Sequence, residues 1–576
     1  MRVRKLIGPL LAFALMLALA PAAVASSPAL SAAATDTAGV GLPIVPAQSM
    51  TVPPPHFSSN AEDAVKAAEA NHTMDGLHAR EHPLDFEIKV WDDREWFVDW
   101  YYNRKLVAEV VETSTARVTA VWTGPLASAV YARGDFATQF GHWWILVPFS
   151  LLFLIPFLDP RRWRRMVHID ALVLLSFLVS YLLFDHAKLV ASVWLFYPPL
   201  LYLLARMAWL GGLWPGRRCG AQRLAGTGLS SLLSVRVLGS GLVLLVLARI
   251  ALSFISGTVV DVGYASVIGA QHIVAGHPLY FVSPAHSDTY GPIAYLAYVP
   301  FELLFPWHGS WNYLASAHVA SIVFDLVTIG GLVALGRHLR PGRDGLRLGL
   351  ALGWAWSACP FTLLALMMHS NDGLIAMLTV LSLLAFSSPG VRGALLGLAA
   401  AAKFAPAALL GLYAGQRDRG LKGAATCVAA FTIVVVAAIG LYLPSGGLSE
   451  FYNHTLGFQL SRKDVFSIWA LNPGLNGLKI AVEAGALLLC AAVGFIPRRT
   501  RTLVEACALG TVITIAVQLP AVHWFYYFIV WFVPFALVAL LAGPEPHLSP
   551  ESEARTSHAA VADGRASESE LVLAGS

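Results

Sequence analysis

From Trp143 to Ala542 the chain consists largely of apolar stretches near 20 residues long, with Arg and Lys gathered in short clusters between them. A helix rises about 1.5 Å per residue, so each stretch matches the roughly 30 Å of hydrocarbon in a bilayer. Candidate spans fall near 143–158, 169–184, 189–206, 232–254, 312–336, 348–368, 372–388, 423–443, 475–495, 503–519 and 524–542. The expected fold is an all-α polytopic membrane protein with about eleven transmembrane helices. Composition agrees, since 13% of residues are charged where a soluble domain carries roughly 25%.

The small net charge of +4 and the gathering of Lys and Arg into short clusters between apolar runs argue against nucleic acid as a partner. Cys219, Cys359, Cys427, Cys490 and Cys507 lie in or beside apolar segments without CxxC spacing, so neither a disulfide framework nor a zinc site is indicated.

Residues 1–25 have the three parts of a secretory signal: Arg2, Arg4 and Lys5, the apolar run Leu6–Ala20, and Ala23-Val24-Ala25. Whether that signal is cleaved or kept as an anchor stays open. Residues 26–60, rich in Ala, Ser, Thr and Pro, read as a disordered linker, and residues 543–576 as a disordered cytoplasmic tail. Between linker and membrane, residues 61–82 have helical composition. Phe86–Trp91, Trp96–Tyr101, Val107–Val111 and Arg117–Trp122 then alternate in the manner of strands. A small exported α+β domain is expected over 61–135, followed by additional helices over 143–230 and a main membrane domain over 231–542.

The basic clusters Arg161–Arg165, Arg217 to Arg223, Arg337 to Arg347, Arg417 to Lys422 and Arg498 to Arg501 fall on one side of the expected spans. By the positive-inside rule that side is cytoplasmic. Two segments do not read as simple spans. Residues 291–306, bounded by Pro292, Pro300 and Pro306, suit an interfacial segment. Residues 394–415 lie between basic clusters and contain Lys403 and Pro406, which suits a re-entrant hairpin.

This topology puts residues 255–311, His369–Asp372, residues 444–474 and Pro520–Trp524 outside. Asp261, just past a helix end at the membrane boundary, would be partly desolvated there, which suits a general base; the other reading is a carboxylate that only marks the membrane edge. Arg462 and Lys463, flanked by aromatics, suit a phosphate ligand or an interfacial anchor. Lys403 inside an apolar hairpin needs a partner, a function or a path to the surface, because a central charge costs about 2.5–3.5 kcal/mol even on lenient scales. His369 and Asp372 suit sugar hydroxyls or a lipid phosphate, or simply a polar turn. His523 lies in an aromatic belt beside Trp524, Tyr526 and Tyr527. Asp325, within a span, suits an interhelical pair with Arg249 or Lys403. No HExxH, GxSxG or glycine-rich phosphate loop occurs.

Several motifs recur in order: Asp261; Tyr264; Gly276-His277-Pro278-Leu279-Tyr280; Tyr290-Gly291-Pro292; Phe324-Asp325-Leu326; His369-Ser370-Asn371-Asp372-Gly373; Gly397 to Pro406; and Phe458-Gln459 with Arg462 and Ser467-Ile468-Trp469. This set resembles the family-87 type-C glycosyltransferases, polyprenyl-phosphate-mannose-dependent alpha-mannosyltransferases, over residues 232–542. The helix-and-meander pattern of 61–135 resembles the small PepSY-type ectodomain.

The resemblance implies inverting transfer of a hexose from a polyprenyl-phosphate donor to an extracytoplasmic glycan or glycolipid. Asp261 would be the catalytic base. Arg462, Lys403 and His369 would bind the donor phosphate, and Tyr264, Tyr280, Tyr290, Asp372 and His523 the substrate. Membrane lipids are the implied surroundings, and no metal or other cofactor is required. A transporter or lipid flippase built on Lys403 and Asp325, or a non-catalytic envelope assembly protein, would fit the same polytopic pattern.

Overall fold

The computed structural model describes residues 45–47, 49–78, 84–91, 95–102, 105–123, 140–159, 164–186, 188–213, 233–256, 259–280, 289–307, 314–416, 420–461, 466–495 and 501–543. The expected signal, residues 26–44 and 48 of the linker, the tail beyond Gly543, and Arg462 lie outside the described residues.

The N-terminal unit places helices Ala61–Glu69 and His72–His78 on an antiparallel sheet. Four strands, β2 (Asp85–Trp91), β3 (Glu95–Tyr102), β4 (Lys105–Thr113) and β5 (Val118–Thr123), follow sequence order. A two-residue β1 (Val45–Pro46) pairs with the β2 edge. The first helix starts at a capping box in which Asn60 and Asp63 satisfy each other's backbone N–H, ending the extended segment before it. Its Ala61, Ala64, Val65 and Ala68 are buried with Trp96, Val98 and Trp100. Those three β3 residues include two at alternate positions on one face, Trp96 and Val98, continued by Trp100, as the period-2 pattern requires. Trp96 can be buried because its indole N–H donates to the Ser59 hydroxyl at 2.9 Å.

Among the described residues, the membrane portion contains six helices long and apolar enough to cross a bilayer: Met166–Asp185, Leu189–Leu210, Val235–Ser256, Ala315–Leu339, Gly420–Leu441 and Pro473–Phe495. A seventh span is added if Gly342–Ala358 and Pro360–Met367, bent by 59°, count as one. The remaining expected positions hold shorter apolar helices, Trp143–Leu154, Asp372–Leu384, Leu503–Gln518 and Tyr526–Leu541. They fall below the length of a simple crossing, so the expected eleven reduce to six or seven by length and composition.

Residues 291–306 form two short helices, Pro292–Leu296 and Val299–Leu304, with residues 291–299 buried. They pack against helices Asp261–Val274 and Ala315–Leu339, so the first part of the segment lies inside the protein while Leu303, Leu304 and Phe305 at its end are exposed.

The region expected as a re-entrant hairpin is a helix, Pro389–Ala402, a break at Lys403 and Phe404, then a 3-10 turn Ala405–Leu409 and helix Leu410–Ala414. Its direction follows from the next helix, Gly420–Leu441. Gly393 abuts Cys427, and Gly397 abuts Phe431 and Val434, so contacts advance in the same sense along both helices. Two successive helices can run parallel only if the connecting chain returns. Residues 405–416 make that return, and Tyr413 reaches Ser382 at 2.6 Å near the far end of helix Asp372–Leu384. The close approach depends on glycine, since a Cβ on Gly393 would stand 2.2 Å from the Cys427 carbonyl oxygen.

In the sheet, Glu112 is fully buried and neither carboxylate oxygen has a hydrogen-bond partner. Desolvation pushes its carboxyl up to about 8. Glu109 stands across the ladder from Asp99, and burial, with the Asp99 charge added, pushes it up to about 8 as well. A carboxyl raised in the folded state keeps its proton where the unfolded chain has lost it. The sheet therefore loses stability as pH rises from about 4.5 to about 8, by at most about 1.4 kcal/mol per pH unit and carboxyl. Hydrogen-exchange protection of residues 85–123, corrected for intrinsic rates, is expected to fall across that window. Glu112→Gln is expected to make the fall shallower; an unchanged slope would contradict this account of Glu112.

Candidate functional site

The site is assembled from a helix break outward. Pro360 starts a new helix after Ala358, and the bend frees carbonyls that intrahelical bonds would otherwise use. Arg249, fully buried on helix Val235–Ser256, supplies a donor at the bend, Nη1 to the Ser357 carbonyl at 2.9 Å, and its Nη2 reaches the Thr362 carbonyl in the following helix at 3.2 Å. Its charge is met by Asp325 in a bidentate pair, Nε to Oδ2 at 3.0 Å and Nη2 to Oδ1 at 2.7 Å, and Trp356 donates to Oδ1 at 2.8 Å. The intramembrane Asp325 thus has Arg249 as its partner and braces the bent helix.

One turn further along the same helix, the Ser253 hydroxyl lies 3.0 Å from His369 Nε2. His369 closes the bent helix in a left-handed conformation, φ 52°. Its ring lies against His318, centroids 3.5 Å apart. His369, Ser370, Asn371 and Asp372 are all buried, so this is a packed turn rather than a hydrated one.

Asp372 begins helix Asp372–Leu384. That helix runs away from the turn and helix Pro389–Ala402 runs back, so Lys403 arrives at the end where Asp372 sits. Lys403 Nζ donates to Asp372 Oδ1. Trp531 Nε1 donates to the same oxygen at 2.7 Å, and the Ser370 hydroxyl donates to Oδ2 at 2.6 Å. The ammonium is also flanked by two rings, with centroids of Tyr290 at 5.2 Å and Trp531 at 5.5 Å. The Tyr290 loop is fastened to the hairpin by Gly291 N–H donating to the Ala402 carbonyl at 3.1 Å. Only glycine fits there, because a Cβ would lie 2.0 Å from the Ala401 carbonyl oxygen.

Asp261 is placed differently from expectation. The preceding helix ends at Ser256, and Asp261 is the first residue of helix Asp261–Val274, solvent-exposed rather than desolvated. Its Oδ1 accepts the Val262 N–H at 2.7 Å. This helix start is tied to the buried turn: Val260 N–H donates to the Met368 carbonyl at 2.9 Å, Asn371 Nδ2 donates to the Ser266 hydroxyl at 2.9 Å, and Gly263 abuts the His369 carbonyl.

The other expected residues lie around this core. Tyr280, at φ 64°, is buried and donates its hydroxyl to the Tyr290 carbonyl at 2.9 Å. Phe451 and His454 cover it, with ring centroids at 5.0 and 6.4 Å. His454 lies in a π-helical turn, Asn453–Gly457, continued by Phe458–Ser461, the residue before Arg462. Tyr264 is buried edge-on to Trp307 at 5.8 Å. His523 packs edge-on to Phe466 and Phe528 at 5.4 and 6.3 Å, and Phe528 in turn packs on Trp531 at 4.7 Å.

Trp531, Ser253 and His318 were not among the residues expected from sequence. Trp531 sits in an almost wholly apolar run, and its indole N–H was the one available signal.

Residues 289–543 match the family model described as glycosyltransferase family 87. This segment belongs to glycosyltransferase family 87. It carries the activity class of a membrane glycosyltransferase, with a sugar donor and an acceptor. Tyr290, His369, Asp372, Lys403, Arg462 and His523 lie within the matched family-87 segment, whereas Asp261, Tyr264 and Tyr280 precede it. No curated protein matches the chain.

The Arg249 brace is testable. Arg249→Met leaves Asp325 buried with the Trp356 indole, a loss expected to cost roughly 3–5 kcal/mol, whereas Arg249→Met with Asp325→Leu should recover most of it. Thermal unfolding of the purified protein in detergent measures both. Equal stability of the single variant and the native protein would show that the bend does not depend on this pair.

Proposed function

We propose that this protein transfers a hexose, mannose in the first instance, from a polyprenyl-phosphate donor to an envelope glycan or glycolipid on the extracytoplasmic side, with inversion. The observation that carries this reading is the pairing of chemistry at one end of the bundle. A buried ammonium, Lys403, stands at the tip of a hairpin within the membrane portion, and an exposed carboxylate, Asp261, stands on the helix packed against the same buried turn.

A lipid phosphate sugar presents those two needs. Asp261 takes the proton from the acceptor hydroxyl as its oxygen attacks the anomeric carbon. The bond from that carbon to the phosphate oxygen breaks, and its electron pair leaves on the polyprenyl phosphate. The dianion so formed is stabilised by Lys403 and by Arg462, which follows the π-helical turn covering Tyr280. Tyr290, beside Lys403, would face the sugar, with Tyr280 buried behind it and holding the Tyr290 carbonyl. Burial of His369 against His318 and Ser253 favours a supporting role for it, shaping the turn that carries Asp372. No metal is required by this step, because the departing charge is met by side-chain cations.

The basic loops and the secretory signal expected from sequence support the extracytoplasmic orientation. The sheet-bearing N-terminal unit would then lie on the acceptor side, where a PepSY-like module suits partner or glycan contact.

Transfer from a synthetic polyprenyl-phosphate mannose to membrane acceptors should fall by a factor on the order of 10² or more in Asp261→Asn, with unchanged yield and thermal stability. Full transfer by that variant would remove Asp261 from the mechanism. Liposome transport without any glycosylated product would replace the reading with a transporter.

A further inference from the structure

Asp372 is buried, and at least three of its acceptor positions are used: by Lys403 and Trp531 on Oδ1 and by Ser370 on Oδ2. A carboxylate so engaged has little capacity left for a sugar hydroxyl. The arrangement is also asymmetric. Two of the three donors are neutral and belong to fixed elements, Trp531 on helix Ile529–Leu541 and Ser370 in the packed turn. The third is an ammonium on a flexible four-carbon stem whose backbone is held separately, by Lys403 N–H to the Ala399 carbonyl and by the adjacent Gly291–Ala402 bond.

If Lys403 swings away, Asp372 therefore keeps an indole N–H, a hydroxyl and its place at the first residue of a helix, where the dipole favours a negative charge. In the paired position the ammonium also lies beside the faces of Tyr290 and Trp531, at 5.2 and 5.5 Å from their centroids.

We propose that Asp372 is a positioning residue, an internal counter-anion that holds Lys403 at the hairpin tip until the anionic head group of the lipid donor displaces it. The inference rests on the reading of Lys403 as the donor's phosphate ligand. Donor binding and release of Lys403 from Asp372 are then one exchange. Asp372 sets affinity by competition, and sets rate by fixing the position from which Lys403 starts.

The test uses the full-length protein in nanodiscs with dodecyl phosphate as probe and dodecanol as the neutral control. Asp372→Asn removes the competing anion and is expected to bind dodecyl phosphate about tenfold more tightly. Dodecanol binding should stay unchanged. Trp531→Phe, which strips a donor from Asp372 and makes it hold Lys403 harder, should shift dodecyl phosphate binding the other way. It also serves if Asp372→Asn fails to accumulate. Lys403→Met with Asp372→Asn, which removes both charges together, should fold and lose the phosphate preference.

In turnover, Asp372→Asn should lower both KM for the donor and kcat, whereas a merely structural role would lower kcat without lowering KM. Equal or weaker binding of dodecyl phosphate by Asp372→Asn, or tighter binding by Trp531→Phe, overturns the proposal. Tighter phosphate binding in Asp372→Asn from a native protein that transfers no sugar would support the counter-anion role while removing the glycosyl-transfer reading.

Discussion

The membrane half of this protein is organised around an ammonium placed where there is almost no water. Lys403 is 7% exposed, and an unpaired charge at that depth would be costly. Its partner, Asp372, is 31 residues earlier, and bringing the two together requires helix Asp372–Leu384 to run down and helix Pro389–Ala402 to run back. The chain cannot continue as helix past that meeting point and also place Pro406 and the parallel helix Gly420–Leu441 where they are, so it turns back at Phe404. The pair thereby draws four elements to one spot: the hairpin tip, the buried turn, the Tyr290 loop and Trp531. Its worth to stability is modest by comparison with its worth to geometry, because desolvation offsets much of the attraction in any buried pair.

The second buried pair, Arg249 with Asp325, serves a different end. Arg249 ties the Ser357 carbonyl before the bend to the Thr362 carbonyl after it, and Ser253 on the same helix holds His369. The bend and the buried turn are therefore two results of one brace. It lets a polar stretch, His369–Asp372, lie inside the bundle, and the Asp261 helix is packed against it through Gly263 and Asn371.

Much of this architecture was legible in the chain because apolar length and charge placement are physical demands of a bilayer. The hairpin at 394–415 followed from Lys403 and Pro406 lying between two basic clusters, and an interhelical partner for Asp325 from an aspartate that could not stay alone, although only the fold chooses Arg249 over Lys403. Span number was less legible: helices such as Asp372–Leu384 and Tyr526–Leu541 are apolar but short, and composition alone does not separate a crossing from a buried half-helix. Asp261 was read as the end of one helix when it begins the next, since an Asp suits both a helix flank and a helix start. Trp531 was missed because an indole in an apolar run reads as packing, and only the fold shows its N–H turned to Asp372. In the N-terminal unit, strand alternation was plain, whereas the buried Glu112 was hidden because alternation alone does not say which charged residue a bulged strand turns inward.

The central claim is that Lys403 receives the donor's phosphate within reach of Asp261. Its most direct test is a cryo-electron microscopy structure of the full-length protein with a non-transferable polyprenyl-phosphate sugar analogue. The account predicts phosphate density in hydrogen-bonding contact with Lys403 Nζ, with Lys403 withdrawn from Asp372 and the anomeric carbon facing Asp261. Density for the head group elsewhere, with the Lys403–Asp372 pair intact, would contradict it.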